Sequence, residues 1–282
     1  MFRRILLFRN LVDNIPKNIG LYAIGIMLLL IFDITIDPLH ILLGLIAFLT
    51  SYSSIYILND LYDVEEDKTD ERKTPRKPIA LEIVSKKEAL AIAASFIALG
   101  LLLSIILSLL FFYVIISLVF INLIYSVPSA YIRHWSQEEN LQAKSLKQTI
   151  LGIPLILLMQ SLKILLPWTL SNQVIQFPIL FAIGFSFLYI VIFKGYKEYL
   201  TIGQSVVRAP FFFGFAVAFF IASMSLYPAP LIQASIVTYL LVGIVVFRNS
   251  HITDRRVLLL SPVYILLGII ILIFVIATIL PN

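Results

Sequence analysis

Asn59-Asp60-Leu61-Tyr62-Asp63-Val64-Glu65-Glu66-Asp67 follows a run that is apolar from Ile41 to Leu58 apart from a few hydroxyls. At helical spacing, Asp60, Asp63 and Asp67 fall within about 60° of one another. Three carboxylates on one stripe repel each other unless a cation lies between them. An oxygen-rich set of this kind suits Mg²⁺, which takes one or two carboxylates together with substrate phosphates. The stretch therefore reads as a grip for a metal-bound diphosphate at the rim of a membrane. The plainer reading is an exposed acidic helix end, which a lone D-x-x-D would favour over a ligand set.

Working outward, the 282 residues are 60% hydrophobic and only 13% charged, with a mean hydropathy of +1.00. That composition predicts a polytopic membrane protein, read here as an all-α bundle in the cell membrane that forms a single domain over residues 1–282. With no Cys, disulfides, thiolate metal sites and a Cys nucleophile are excluded. About 20 apolar residues are needed per crossing. The chain offers nine such segments, near 19–36, 39–58, 88–105, 107–126, 143–162, 176–193, 206–225, 230–247 and 257–280. The third and fourth are almost contiguous and predict a tight helical hairpin. With nine crossings, 20 of the 21 Lys and Arg residues fall on one side and only Lys163 on the other. By the positive-inside rule, the N-terminus and the basic loops are then cytoplasmic.

No crossing carries an ionisable group near its centre, as a transporter or proton pump usually would. Acids and bases gather instead at one face. Arg72, Lys73, Arg76 and Lys77 follow the acidic stretch and could bind phosphate oxygens, although a cytoplasmic loop would hold bases in any case. Tyr56, Tyr125 and Tyr196 near the cytoplasmic ends read either as phosphate or ribose contacts or as interfacial aromatics, the latter preferred for Tyr125. His40, His134 and His251 have no metal-ligand spacing. P-loop, dinucleotide and nucleophile-elbow motifs are missing. The basic loops lack the aromatic interleaving of nucleic-acid binders, so no nucleic-acid partner is expected.

Asn59-Asp60-x-x-Asp63-x-x-x-Asp67, followed by Arg76-Lys77-Pro78-Ile79-Ala80, resembles the first signature of the UbiA superfamily of intramembrane prenyltransferases. The resemblance implies nine helices and Mg²⁺ held by Asn59, Asp60, Asp63 and Asp67. It also implies a diphosphate covered by Lys73, Arg76 and Lys77. The chain departs from the family's second, Asp-rich signature. Its loop reads Lys194-Gly195-Tyr196-Lys197-Glu198. Lys194-x-Tyr196-x-Glu198 is similar to the decaprenyl-phosphate phosphoribosyltransferase branch, which implies that Lys194 and Tyr196 bind the second substrate and that Glu198 is catalytic. Short similarities to that branch also occur at Pro16-Lys17-Asn18, Ile55–Asp60 and Asp254–Leu258. The favoured expectation is transfer of 5-phosphoribose from phosphoribosyl diphosphate to polyprenyl phosphate. The alternative is transfer of a polyprenyl group from polyprenyl diphosphate to an aromatic, quinone-precursor or glycerol-phosphate acceptor. A non-catalytic carrier or scaffold is the rival from another class. In both reactions the protein must neutralise charge developing on a leaving diphosphate.

Overall fold

The computed structural model describes residues 8–69, 77–135, 141–171, 173–190 and 209–227. Among these the fold is entirely helical: α1 (Arg9–Ile31), α2 (Pro38–Tyr62), α3 (Val64–Thr69), α4 (Lys86–Leu107), α5 (Leu109–Trp135), α6 (Leu141–Leu165), α7 (Ile179–Tyr189) and α8 (Ala209–Leu226). Two short 3₁₀ turns lie between α6 and α7. Pro38–Tyr62, Lys86–Leu107 and Gly152–Leu170 are each long and apolar enough to cross a bilayer; α1, α5, α7 and α8 contribute shorter apolar stretches. The eighth and ninth predicted crossings lie outside the described residues.

The chain divides into two compact units. The first comprises residues 1–19 and 36–139, and its frame is α2, α4 and α5 packed on one another. Local chemistry explains the helix ends. Asp37 starts α2, its Oδ1 accepting from Leu39 N at 3.0 Å, with Pro38 in the first turn where a missing N–H costs nothing. A capping box starts α4: Ser85 Oγ accepts from Glu88 N, and the Glu88 carboxylate accepts from Ser85 N. Ser108 alone separates α4 from α5, its extended backbone turning the chain into the expected hairpin. Helices α2 and α4 approach closely at Gly100. A Cβ there would collide with Ser51 Oγ and lie 2.9 Å from Ala47 O. The outer faces of α4 and α5 expose Leu99, Leu102, Ile106, Leu109 and Phe120. In the most apolar stretch of α4 only 22% of residues are buried, as expected of a face that meets lipid.

The second unit comprises residues 20–35 and 140–282. Here Trp168 is buried, donates from Nε1 to Gly25 O at 3.1 Å, and meets Phe32 and Phe177 edge to face. Gly25 is needed at that spot because a Cβ would strike Ile164 O. Phe187 stacks on Phe215 and Phe219, joining α7 to α8, and Ser161 and Ser186 share a buried hydrogen bond of 3.0 Å. Sequence reading ends the fifth crossing near 162 and leaves Lys163 in an outer loop. The helix instead runs on to Leu165, and Lys163 lies buried in its last turn.

Candidate active site

The acidic stretch is not one continuous helix. α2 ends at Tyr62; Asp63 is its C-cap, with φ −90° and ψ 3°, and α3 begins at Val64. The backbone ladder nonetheless continues across the break: Asp63 N donates to Asn59 O at 3.0 Å and Asp67 N to Asp63 O at 2.8 Å. Among the described residues no three carboxylates or imidazoles converge on one ion position as they stand.

Two of the acids do converge, on an ammonium group. Lys77 Nζ donates to Asp60 Oδ1 at 2.6 Å and lies 3.2 Å from Asp67 Oδ2. The three side chains are 15%, 1% and 3% exposed respectively, so this is an interior ionic triad. Burial on its own would push the lysine toward neutrality. The Asp60 carboxylate, followed by that of Asp67, outweighs it and holds the Lys77 pKa above the ordinary lysine value.

The loop that delivers Lys77 is built for the purpose. Pro78 O accepts from both Ile83 N and Val84 N, and Lys77 O accepts from Leu81 N. Glu82 takes a left-handed turn at φ 60°. This folds the loop back so that Ile79 and Val84 enter a core with Phe8, Ile57, Val64, Ala89 and Ile92. Ile57 precedes Asp60 by three residues and Val64 precedes Asp67 by three, so the apolar cluster that anchors the loop also backs both acids of the triad. Exposed pairs, Lys68 with Glu82 and Lys86 with Glu65, each at 3.1 Å, lie around it. Such surface pairs contribute little.

A row of aromatic rings descends α2 from the acids. Tyr56 and Tyr52 meet edge to face at 5.6 Å, and Tyr52 meets Phe48 at 5.6 Å. Asn18 Nδ2 donates to Tyr56 OH at 3.2 Å and Asn122 Nδ2 to Tyr52 OH at 2.8 Å. Tyr56, which the sequence left open between a phosphate or ribose contact and an interfacial aromatic, thus accepts a hydrogen bond from within the protein. Sequence reasoning missed Tyr52 and Asn122. A buried amide in an apolar helix was the available signal, because such a group must find a partner.

Of the other expected site residues, Asp63 is half-buried at the break and Asn59 Oδ1 is buried, accepting no hydrogen bond among the described residues. Lys73, Arg76, Lys194, Tyr196 and Glu198 lie outside the described residues. The donor set fits Mg²⁺: every candidate ligand is a hard oxygen, and two buried carboxylates already face one cation.

Comparison with known proteins agrees with this picture. Residues 20–138, which include the acidic stretch and its basic loop, match the sequence profile of the UbiA prenyltransferase family. No curated protein matches the chain. Among solved structures, a UbiA homologue from Archaeoglobus fulgidus bound to GPP and Mg²⁺ superposes with a TM-score of 0.65. It is 16% identical and covers 95% of this chain and 99% of its own. The same homologue bound to DMAPP and Mg²⁺ gives a TM-score of 0.65 at 16% identity, covering 96% and 99%. A structure described as digeranylgeranylglyceryl phosphate synthase in membranes gives 0.61 at 16% identity, covering 97% and 96%. The fold is therefore UbiA-like along nearly the whole chain. The segment that carries the ionic triad, within residues 20–138, has the UbiA prenyltransferase pattern, and the chain shares the fold of UbiA homologues.

Proposed function

We propose that the protein transfers a group from a diphosphate donor to an acceptor at the inner face of the membrane, with Mg²⁺ held by Asn59, Asp60, Asp63 and Asp67. The observation that carries this reading is the convergence of buried Asp60 and Asp67 on one cation position, beside a loop rich in bases. Mg²⁺ bound there would neutralise charge growing on the departing diphosphate. Lys77, with Lys73 and Arg76 on the same loop, would hold the diphosphate oxygens, while the acids fix the site's position at the end of α2. The lipid tail would lie among the apolar helices. The remaining topological features, nine crossings in a single domain with a cytoplasmic N-terminus, belong to this proposal and are supported by the one-sided placement of Lys and Arg.

A polyprenyl diphosphate is the donor best supported, since the family profile is that of prenyltransferases and the similar structures carry GPP or DMAPP with Mg²⁺. The sequence of the second loop favours another reaction, transfer of 5-phosphoribose from phosphoribosyl diphosphate to polyprenyl phosphate. Lys194 and Lys197 with the single acid Glu198 suit a substrate pair richer in phosphate than an aromatic acceptor. One assay separates the two. Membranes are given either labelled phosphoribosyl diphosphate with polyprenyl phosphate, or labelled isoprenyl diphosphate with aromatic and glycerol-phosphate acceptors. Label entering product only in the second mixture assigns prenyl transfer; label only in the first assigns phosphoribosyl transfer. If neither releases pyrophosphate in a Mg²⁺-dependent way, the proposal fails.

A further inference from the structure

Lys77 Nζ contacts the same two carboxylates that the proposed metal would use, and it does so from inside the protein. A Mg²⁺ ion forms bonds of about 2.0–2.1 Å to its oxygens and tolerates no ammonium among them. Lysine and metal therefore compete for Asp60 and Asp67. The backbone beside the lysine cannot yield easily, because Pro78 O is doubly bonded and Ile79 and Val84 are buried. The side chain can: four methylenes carry a compact charge with three rotatable donors.

We infer that Lys77 couples metal binding to diphosphate binding: its ammonium bridges Asp60 and Asp67 until both ligands are present, and then moves onto the diphosphate as Mg²⁺ takes the carboxylates. The inference rests on the proposed metal–diphosphate reading of this site and adds an order to it. Metal alone must displace an ammonium already paired with both carboxylates. Metal arriving with a diphosphate gives that ammonium a new anionic partner. By linkage, each ligand then strengthens the other by the same factor. Free divalent ion in the cytoplasm would leave the site closed until a donor arrives.

The test is direct binding of Mn²⁺ to the purified full-length protein in detergent, followed by electron paramagnetic resonance. Titrations are run at matched free Mn²⁺, without and with inorganic pyrophosphate. In the wild type, pyrophosphate is expected to tighten Mn²⁺ binding at least tenfold. Lys77→Met is expected to bind Mn²⁺ alone at least tenfold more tightly than the wild type and to lose most of the pyrophosphate effect. Lys77→Met binding Mn²⁺ alone no more tightly than the wild type overturns the inference while leaving the metal site standing. No Mn²⁺ binding by the wild type under either condition overturns the site reading, and the inference with it. Thermal unfolding gives a second readout. Lys77→Met is expected to melt below the wild type in EDTA and to regain the difference with Mn²⁺. Lys77→Gln, which keeps one hydrogen bond and no charge, is read by the same criteria and decides the matter if Lys77→Met does not fold.

Discussion

At the residue scale, the site's character comes from two carboxylates and an amine that exclude water together. Removing one partner of such a triad leaves charge buried without its counter-ion. Lys77→Ala, which removes the ammonium from both carboxylates, is therefore expected to lower stability by about 3 kcal/mol, read as a fall in midpoint on thermal unfolding in detergent. Asp63→Asn should behave differently. Asp63 is half-buried at the helix break, more open to solvent than Asp60 or Asp67. The expected result is a loss of turnover of roughly 100-fold with the melting point nearly kept. The pH dependence of the triad has a definite sign. Because the Lys77 pKa is raised on folding, its stabilising contribution is complete below the ordinary lysine value of about 10.4 and is lost as pH climbs through the higher folded value. An alkaline melting series should show this loss in the wild type and a smaller one in Asp60→Asn. The acids were legible in sequence because charge so abruptly ends an apolar run. Which base turns inward was not, since Lys73, Arg76 and Lys77 share a loop and a charge. Only the apolar Pro78-Ile79-Ala80 after Lys77 hints that the chain dives there.

At the scale of elements, the close crossing of α2 over α4 sets the direction in which α2 presents Asn59 and Asp60. Gly100→Val is expected to cost about 1–3 kcal/mol and to lower turnover as well, because backbone atoms of Ser51 and Ala47 lie 2.8 and 2.9 Å from where its first carbon must go. Asn122→Ala should cost about 1 kcal/mol through the buried Tyr52 hydroxyl, seen in the same melts. The hairpin between α4 and α5 was readable because two apolar runs met with no room for a loop. The break at Asp63 was not, because hydrogen-bond spacing continues through it and the sequence offers neither Gly nor Pro. The terminal turn holding Lys163 was lost for a related reason: a lysine inside an apolar helix is read as that helix's end.

At the scale of the whole molecule, composition alone pointed to a bilayer protein, and the charge count predicts an orientation for it. The orientation has a clean test because the chain has no native Cys. Glu65→Cys and Asp37→Cys each place one thiol at an exposed site. A membrane-impermeant maleimide is expected to label Asp37→Cys on intact cells and Glu65→Cys only after permeabilisation. The reverse pattern would put the acidic site on the outer face. The UbiA-like fold spans nearly all of the chain at 16% identity, a level at which packing persists while side chains drift. Residues 194–198 are proposed to bind the second substrate, and Glu198→Gln is expected to reduce turnover severely.

The hydrophobic anchoring of the loop after Lys77 has a practical corollary. Ile79 and Val84 carry no charge, yet they anchor the loop from which the lysine reaches the carboxylates. Retuning the proposed site toward manganese or calcium would gain more from trimming those two greasy plugs than from rewriting the carboxylates, since a looser tether changes the rival cation and spares the proposed ligands themselves.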